Sequence, residues 1–310
     1  MVRDHLKQQP WSLKRRLRKR FDRHPKAFAL GCCGVAIGLS SALWLTASNV
    51  AHTQLQRKPT LLELLNEVTT NSPNVLEEPH VKTEPSPPRA DDWQSPLARQ
   101  CRNLDQATQA RLRNLKHRLR KEREIVAIDS SNYGKRYHRN PWKKALDPKP
   151  RLVVLHETSN SLSSAINTFK THHADDNAQV SYHTLIGRDG RVVDAVSPLH
   201  RAFGAGYSAF LGEWAVTNPS FMGSVNNFAL HLSLETPEDG YFGGRTHSGY
   251  SDAQYDSLAV VLDDWMKTFD IPAEAITTHQ HVDLGGERGD PRSFNWSQLQ
   301  VRLAALKRLC

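Results

Sequence analysis

The 310-residue sequence predicts an α/β domain in its C-terminal half, and three observations carry that reading. RLVVLHE (151–157) and NFALHLSLE (227–235) are short apolar runs of the kind that form buried strands. VSYHTLIGRDGRVVDAV (180–196) reads as a β-hairpin, with Asp189–Gly190 supplying residues that tolerate positive φ in the turn. SDAQYDSLAVVLDDWMKTFDI (251–271) opens with a Ser251…Gln254 capping box and puts Tyr255, Leu258, Leu262, Trp265, Met266 and Phe269 on one helical face. Strands alternating with helices over about 160 residues make one α/β unit with a real core.

The remaining elements follow in order. SLSSAINTFKTHH (161–173) has helical apolar spacing, EAITTHQH (274–281) reads as a last strand, and SQLQVRLAALKRL (297–309) as a last helix. Upstream, the texture differs. Residues 27–50 carry no charge and are long enough to span a hydrocarbon core, and the cluster KRRLRKRFDRHPK precedes them. The positive-inside rule then makes 1–26 a cytoplasmic tail and 27–50 a single-pass inner-membrane anchor, with the rest of the chain in the periplasm. Secretion after cleavage is the alternative. Residues 51–94, with six prolines among Glu, Ser and Thr, read as a disordered linker. Residues 95–125 read as a basic helix with a partial leucine stripe. That helix either lies near anionic envelope polymer or docks on the domain by its Leu face.

Charge narrows the function. The net +9 is concentrated in residues 1–26 and 95–150, whereas 151–310 hold twelve basic and eighteen acidic residues. No nucleic-acid partner is expected from such a core. Four cysteines exclude a disulfide-dense scaffold. Cys101 and Cys310 are candidates for a bridge between the basic arm and the C-terminus.

Fifteen histidines are too many for all to be functional. His156 and His279 each end an apolar strand run, where rigid scaffolds present side chains to a cleft. With Asp290, in GERGDPRSFNW, they offer two imidazoles and a carboxylate, a zinc set that leaves a fourth position open.

VVLHET, VSYHTLIGRDGRVV, RAFGAG, NNFALHLSLE and THQHVDLGGERGDPRSFNW occur in the order seen in zinc-dependent N-acetylmuramoyl-L-alanine amidases, a family that includes peptidoglycan recognition proteins. IDSSNYGKR, LHET and DPRSF resemble cyanobacterial envelope amidases in particular. The resemblance covers about residues 126–305 and implies a central mixed sheet flanked by helices over 126–310. It implies a Zn2+ cofactor held by His156, His279 and Asp290, with His281 the less favoured substitute for His279. It implies a peptidoglycan or muropeptide substrate, cut between the lactyl group of N-acetylmuramic acid and L-alanine. Tyr182 and Arg288 match positions near the metal.

Three departures stand out. The family's general-base Glu aligns with Ser233, so the role passes to Glu235, two positions on and on the same strand face. A cleft His becomes Gly204. Glu157, beside His156, is turned away by strand alternation. These departures keep a second reading open: a muropeptide-binding protein that does not cut.

Overall fold

A computed structural model describes residues 83–241 and 243–310. The tail, the anchor and most of the linker lie outside the described residues. Among the described residues no helix is long and apolar enough to cross a membrane.

Among the described residues, eight strands and five α-helices form the fold. The strands are β1 (Glu124–Ile125), β2 (Tyr133–Lys135), β3 (Leu152–Glu157), β4 (Thr184–Ile186), β5 (Val192–Asp194), β6 (His200–Ala202), β7 (Ala229–Leu234) and β8 (Ile276–Thr278). The helices are α1 (Gln106–Glu122), α2 (Leu162–Lys170), α3 (Asp252–Phe269), α4 (His279–Val282) and α5 (Trp296–Ala305). Six strands make one mixed sheet in the order β1-β5-β4-β7-β3-β8, and β2 pairs with β6 in a small antiparallel ribbon. The β4–β5 hairpin is antiparallel, while β4, β7, β3 and β8 run parallel. Their carboxyl ends therefore share one edge of the sheet, the edge where open α/β sheets place their ligands.

Alternation along the strands assigns the two faces. Val153, Leu155, Leu230, Leu232 and Leu234 pack with Leu258 and Leu262 of α3, Leu299 and Leu303 of α5, and Leu112 and Leu119 of α1. On the opposite face Leu152, Val154 and Ala229 pack with Val225, Phe228 and Val282. Leu162 and Phe169 of α2 cover Leu185 and Val193 on the same side. His156 continues the series Leu152, Val154, and Ser233 continues Ala229, His231. Helix α3 has both halves of the expected capping box and ends at Asp270, in the left-handed region at φ 59°.

Three elements differ from the sequence reading. The helix of the basic segment starts only at Gln106, where Asp105 accepts a hydrogen bond from the Ala107 N–H and caps it. Leu97, Cys101 and Leu104 precede it in irregular backbone, and the Cys101–Cys310 disulfide ties that stretch to the C-terminus. Residues 83–94, expected as linker, pack on the domain. Trp93 donates to the Glu274 carbonyl at 2.9 Å and packs against the His281 ring, with centroids 4.2 Å apart and planes tilted by 43°, and Asp91 lies 2.8 Å from His281 Nε2. One large aromatic ring fixes what Pro-rich composition alone would leave loose. Finally, His279 opens α4 and does not end β8.

Candidate metal centre and cleft

Strand pairing brings the two histidines together. Leu155 stands opposite Thr278 across the β3–β8 ladder, so the next positions, His156 and His279, leave the sheet side by side. Their ring centroids are 4.6 Å apart. Asp290 arrives on the loop after α4, held there because its carbonyl accepts from Gln280 N–H at 2.9 Å. Two residues on, Arg292 is clamped to Glu157 through both its backbone N–H and its Nε, and donates to the carbonyls of Gly240 and Gly244.

The ligand atoms of His156, His279 and Asp290 lie within 4.8 Å of one another. His156 Nδ1 is 3.3 Å from Asp290 Oδ2, and His279 Nδ1 is 3.0 Å from Asp290 Oδ1. Bonds of 2.0–2.2 Å to one tetrahedral ion would put ligand atoms about 3.3–3.6 Å apart, close to these separations. A second observation agrees. His279 Nδ1 is buried and near Asp290 but makes no hydrogen bond with it. A buried nitrogen without a partner is costly, and a metal ion is a partner that needs no proton. The residues present fit a divalent ion with an open coordination position.

Electrostatics agree. Burial lowers the His156 pKa to about 4, so the imidazole is neutral, as a ligand must be. Burial alone would raise Asp290, but the His156 and His279 imidazoles outweigh it and hold the carboxyl well below its ordinary range. Tyr182 stacks on His156 with centroids 4.4 Å apart, and burial pushes its phenol up.

His279 and Asp290 border a cleft of about 1290 Å³, with His156 buried behind them; Tyr182, Gly204, Arg245, Glu287, Arg288 and Trp296 also line it. Arg288 is exposed there, and its backbone N–H donates to Asp283 Oδ2 at 3.0 Å. Its positive charge adds a little to the lowering that burial imposes on His156 and opposes, without reversing, the upward push of burial on Tyr182.

Residues 145–293 match the family model described as N-acetylmuramoyl-L-alanine amidase. The 1,6-anhydro-N-acetylmuramyl-L-alanine amidase AmpD of Citrobacter freundii is 30% identical over 171 residues, covering 50% of this chain and 81% of the relative. The chain belongs to the N-acetylmuramoyl-L-alanine amidase family. AmpD of Enterobacter cloacae is 30% identical over 173 residues, covering 51% of this chain and 82% of that protein. Among solved structures, the solution structure of Citrobacter freundii AmpD overlays with a TM-score of 0.40 at 23% identity, over 59% of this chain and 91% of that one.

Not every expected amidase residue joins the cluster. Glu235 does not: its Oε1 accepts from Leu162 N–H and its Oε2 from Arg188 N–H, both at 2.9 Å. It shares the face of Ser233, but the start of α2 and the hairpin turn capture its carboxylate, and it lines a separate groove. Ser233, paired with His156 across the β3–β7 ladder, is too short to reach the cleft, and its Oγ is buried without a hydrogen bond. Glu157 is saturated by Arg292, Tyr250 (2.5 Å) and His247 (2.9 Å), as its outward turn from the metal implied. His281 faces Asp91 and Trp93, away from the ligand set.

One residue absent from the sequence reading is prominent in the structure. His231 is fully buried, with Nδ1 3.0 Å from His156 Nε2. Period-two alternation along NFALHLSLE, which groups 231 with 233 and 235, was the signal that pointed to it.

Proposed function

We propose that this chain is a zinc-dependent amidase that hydrolyses the bond between the lactyl group of N-acetylmuramic acid and L-alanine of the peptidoglycan stem peptide. The observation that carries the reading is the convergence of His156, His279 and Asp290 at the carboxyl edge of the parallel strands, in a member of this family. When bound, zinc supplies a Lewis acid and lowers the pKa of its water to about 7. The chain's own residues do the rest. His156, His279 and Asp290 would hold the ion. Arg288 offers a fixed positive charge to the oxygen that becomes negative as the carbonyl is attacked, because a guanidinium does not give up its proton near neutrality. Tyr182 walls the site against the His156 ring. Glu235 is committed to backbone amides, Glu157 to Arg292, and Asp290 to the imidazoles. Among the described residues that leaves Glu287 as the cleft-lining carboxylate open to carry a proton to the leaving amine.

The proposal extends to location. Residues 27–50 would anchor the chain in the inner membrane, with the domain in the periplasm. The Cys101–Cys310 disulfide supports an oxidising compartment. Protease added to intact spheroplasts would then digest the domain, while an N-terminal tag stays protected.

The test of the activity uses purified wall and two readouts. His156→Ala and Asp290→Ala should each lose stoichiometric zinc and the release of peptides beginning with L-alanine. Full activity in either variant would refute the site. The second reading, a binder that does not cut, is favoured by Ser233 standing where the family has its Glu. Retention of wall fragments by the zinc-loaded protein, with no free peptide in the mass spectrum, would select it.

A further inference from the structure

His231 is fully buried on β7, with no role in the mechanism above. Its Nδ1 lies 3.0 Å from Nε2 of His156, the nitrogen turned away from Asp290. An imidazole that offers Nδ1 to a metal keeps its proton on Nε2. That proton then has one buried partner here, the Nδ1 lone pair of His231. We propose that His231 is a positioning residue that fixes His156 as the Nε2–H tautomer with Nδ1 aimed at the metal.

The surroundings hold His231 for this task. Its backbone N–H donates to His183 Nδ1 at 2.9 Å, and the two rings lie 5.8 Å apart and nearly parallel, at 9°. Because His183 Nδ1 accepts, its proton sits on Nε2, 3.2 Å from the carbonyl of His200 that takes it. On the other side, a Cβ on Gly204 would lie 2.5 Å from both Cγ and Nδ1 of His231. The missing side chain at 204 is therefore the space that the His231 ring fills. The departure at Gly204 and the histidine on β7 are one feature: the ring enters from the strand and the loop gives way. His231 Nε2 has no hydrogen bond. The ring thus carries one unsatisfied buried N–H while its other nitrogen receives His156, an arrangement that costs stability and orients a ligand.

This inference rests on the zinc-centre reading, and its experiment separates the two. Zinc affinity is measured by competition with a chromophoric chelator for the full chain and for His231→Leu, His231→Asn and Gly204→Ala. Loss of the acceptor in His231→Leu should weaken zinc about 10- to 100-fold, whereas Asn, whose Oδ1 sits near the position of Nδ1, should stay within about threefold of wild type. Gly204→Ala, which displaces the ring without removing it, should weaken zinc as well, and serves if the Leu variant does not fold. In the zinc-loaded wild type, nitrogen NMR of labelled histidine should find the His156 proton on Nε2. Affinity of His231→Leu equal to wild type, Asn as weak as Leu, or a proton on His156 Nδ1 would each overturn the role of His231 and leave the metal centre standing. A wild-type chain that takes up no stoichiometric zinc would instead remove the metal centre itself.

Discussion

Ser233 and Glu235 sit on one strand face two residues apart, and their fates diverge. Ser233 lies beside His156 with an orphaned hydroxyl, while Glu235 reaches past it to two backbone amides. Glu235→Gln should therefore lower stability by about 1 kcal/mol, the worth of one hydrogen bond, and leave kcat within a few-fold. Urea midpoints together with peptide release check this, and a thousandfold loss of kcat with zinc retained would contradict it. Ser233→Ala removes a buried oxygen that satisfies nothing, so stability should hold or rise slightly. Glu287→Gln should lower kcat without loosening zinc, since its carboxylate lines the cleft outside the ligand set. Residue types were readable at this scale, and with the family resemblance they singled out His156, His279 and Asp290, although His279 opens α4 and Asp290 sits on a loop. The reach of Glu235 was not readable, because alternation assigns a face and says nothing about which amides lie beyond the strand end.

The basic helix illustrates the scale of elements. Its arginines and lysines look like a polyanion-binding face in sequence, yet three of them pair with acids of the domain. Arg111 meets Asp256 at 2.7 Å, Lys116 meets Asp263 at 2.5 Å, and Arg123 meets Asp194 at 2.7 Å. The acidic excess of residues 151–310 is thus partly the counter-surface of α1, and the Leu112 and Leu119 face docks as one of the two readings required. Burial pushes the Asp263 pKa up, but Lys116, Lys267 and Arg308 together outweigh it and lower the carboxyl below its ordinary value. Leu112, fully buried between α1 and its neighbours, should cost about 2–5 kcal/mol as Ala, read from denaturant unfolding. The start of α1 was misplaced in sequence because leucines at 97 and 104 extend the stripe. The cap at Asp105, a local hydrogen bond, decides the boundary.

At the scale of the whole molecule, the chain closes on itself. Cys101 and Cys310 are 209 residues apart, and their bond restrains nearly the entire described fold. Reduction should destabilise the domain by about 2–5 kcal/mol, visible as a lower Tm with reductant that Cys310→Ser reproduces without it. Acid should act through the buried imidazoles. Burial lowers the His183 pKa from 6.5 to about 3, and the unfolded chain therefore takes up that proton first. Its contribution is whole above about pH 6.5 and is lost as pH falls toward 3, at about 1.4 kcal/mol per pH unit. Urea midpoints of the metal-free protein should fall across that window, and less steeply in His183→Gln.

Sequence by itself determined the α/β alternation, the hairpin, the capping box and the family, and it singled out His156, His279 and Asp290, which the fold brings within 4.8 Å of one another. Each of these is written in local pattern or residue type, and local physics reads it. Tertiary structure decided where the carboxylates of Glu157 and Glu235, at the ends of β3 and β7, would go, that Trp93 pins residues of the Pro-rich segment, and that the ring of His231 fills the space left at Gly204. Those outcomes depend on which backbone amide, ring or vacancy stands opposite a side chain. That neighbour is supplied by a segment tens of residues away, through packing that no window of the sequence contains.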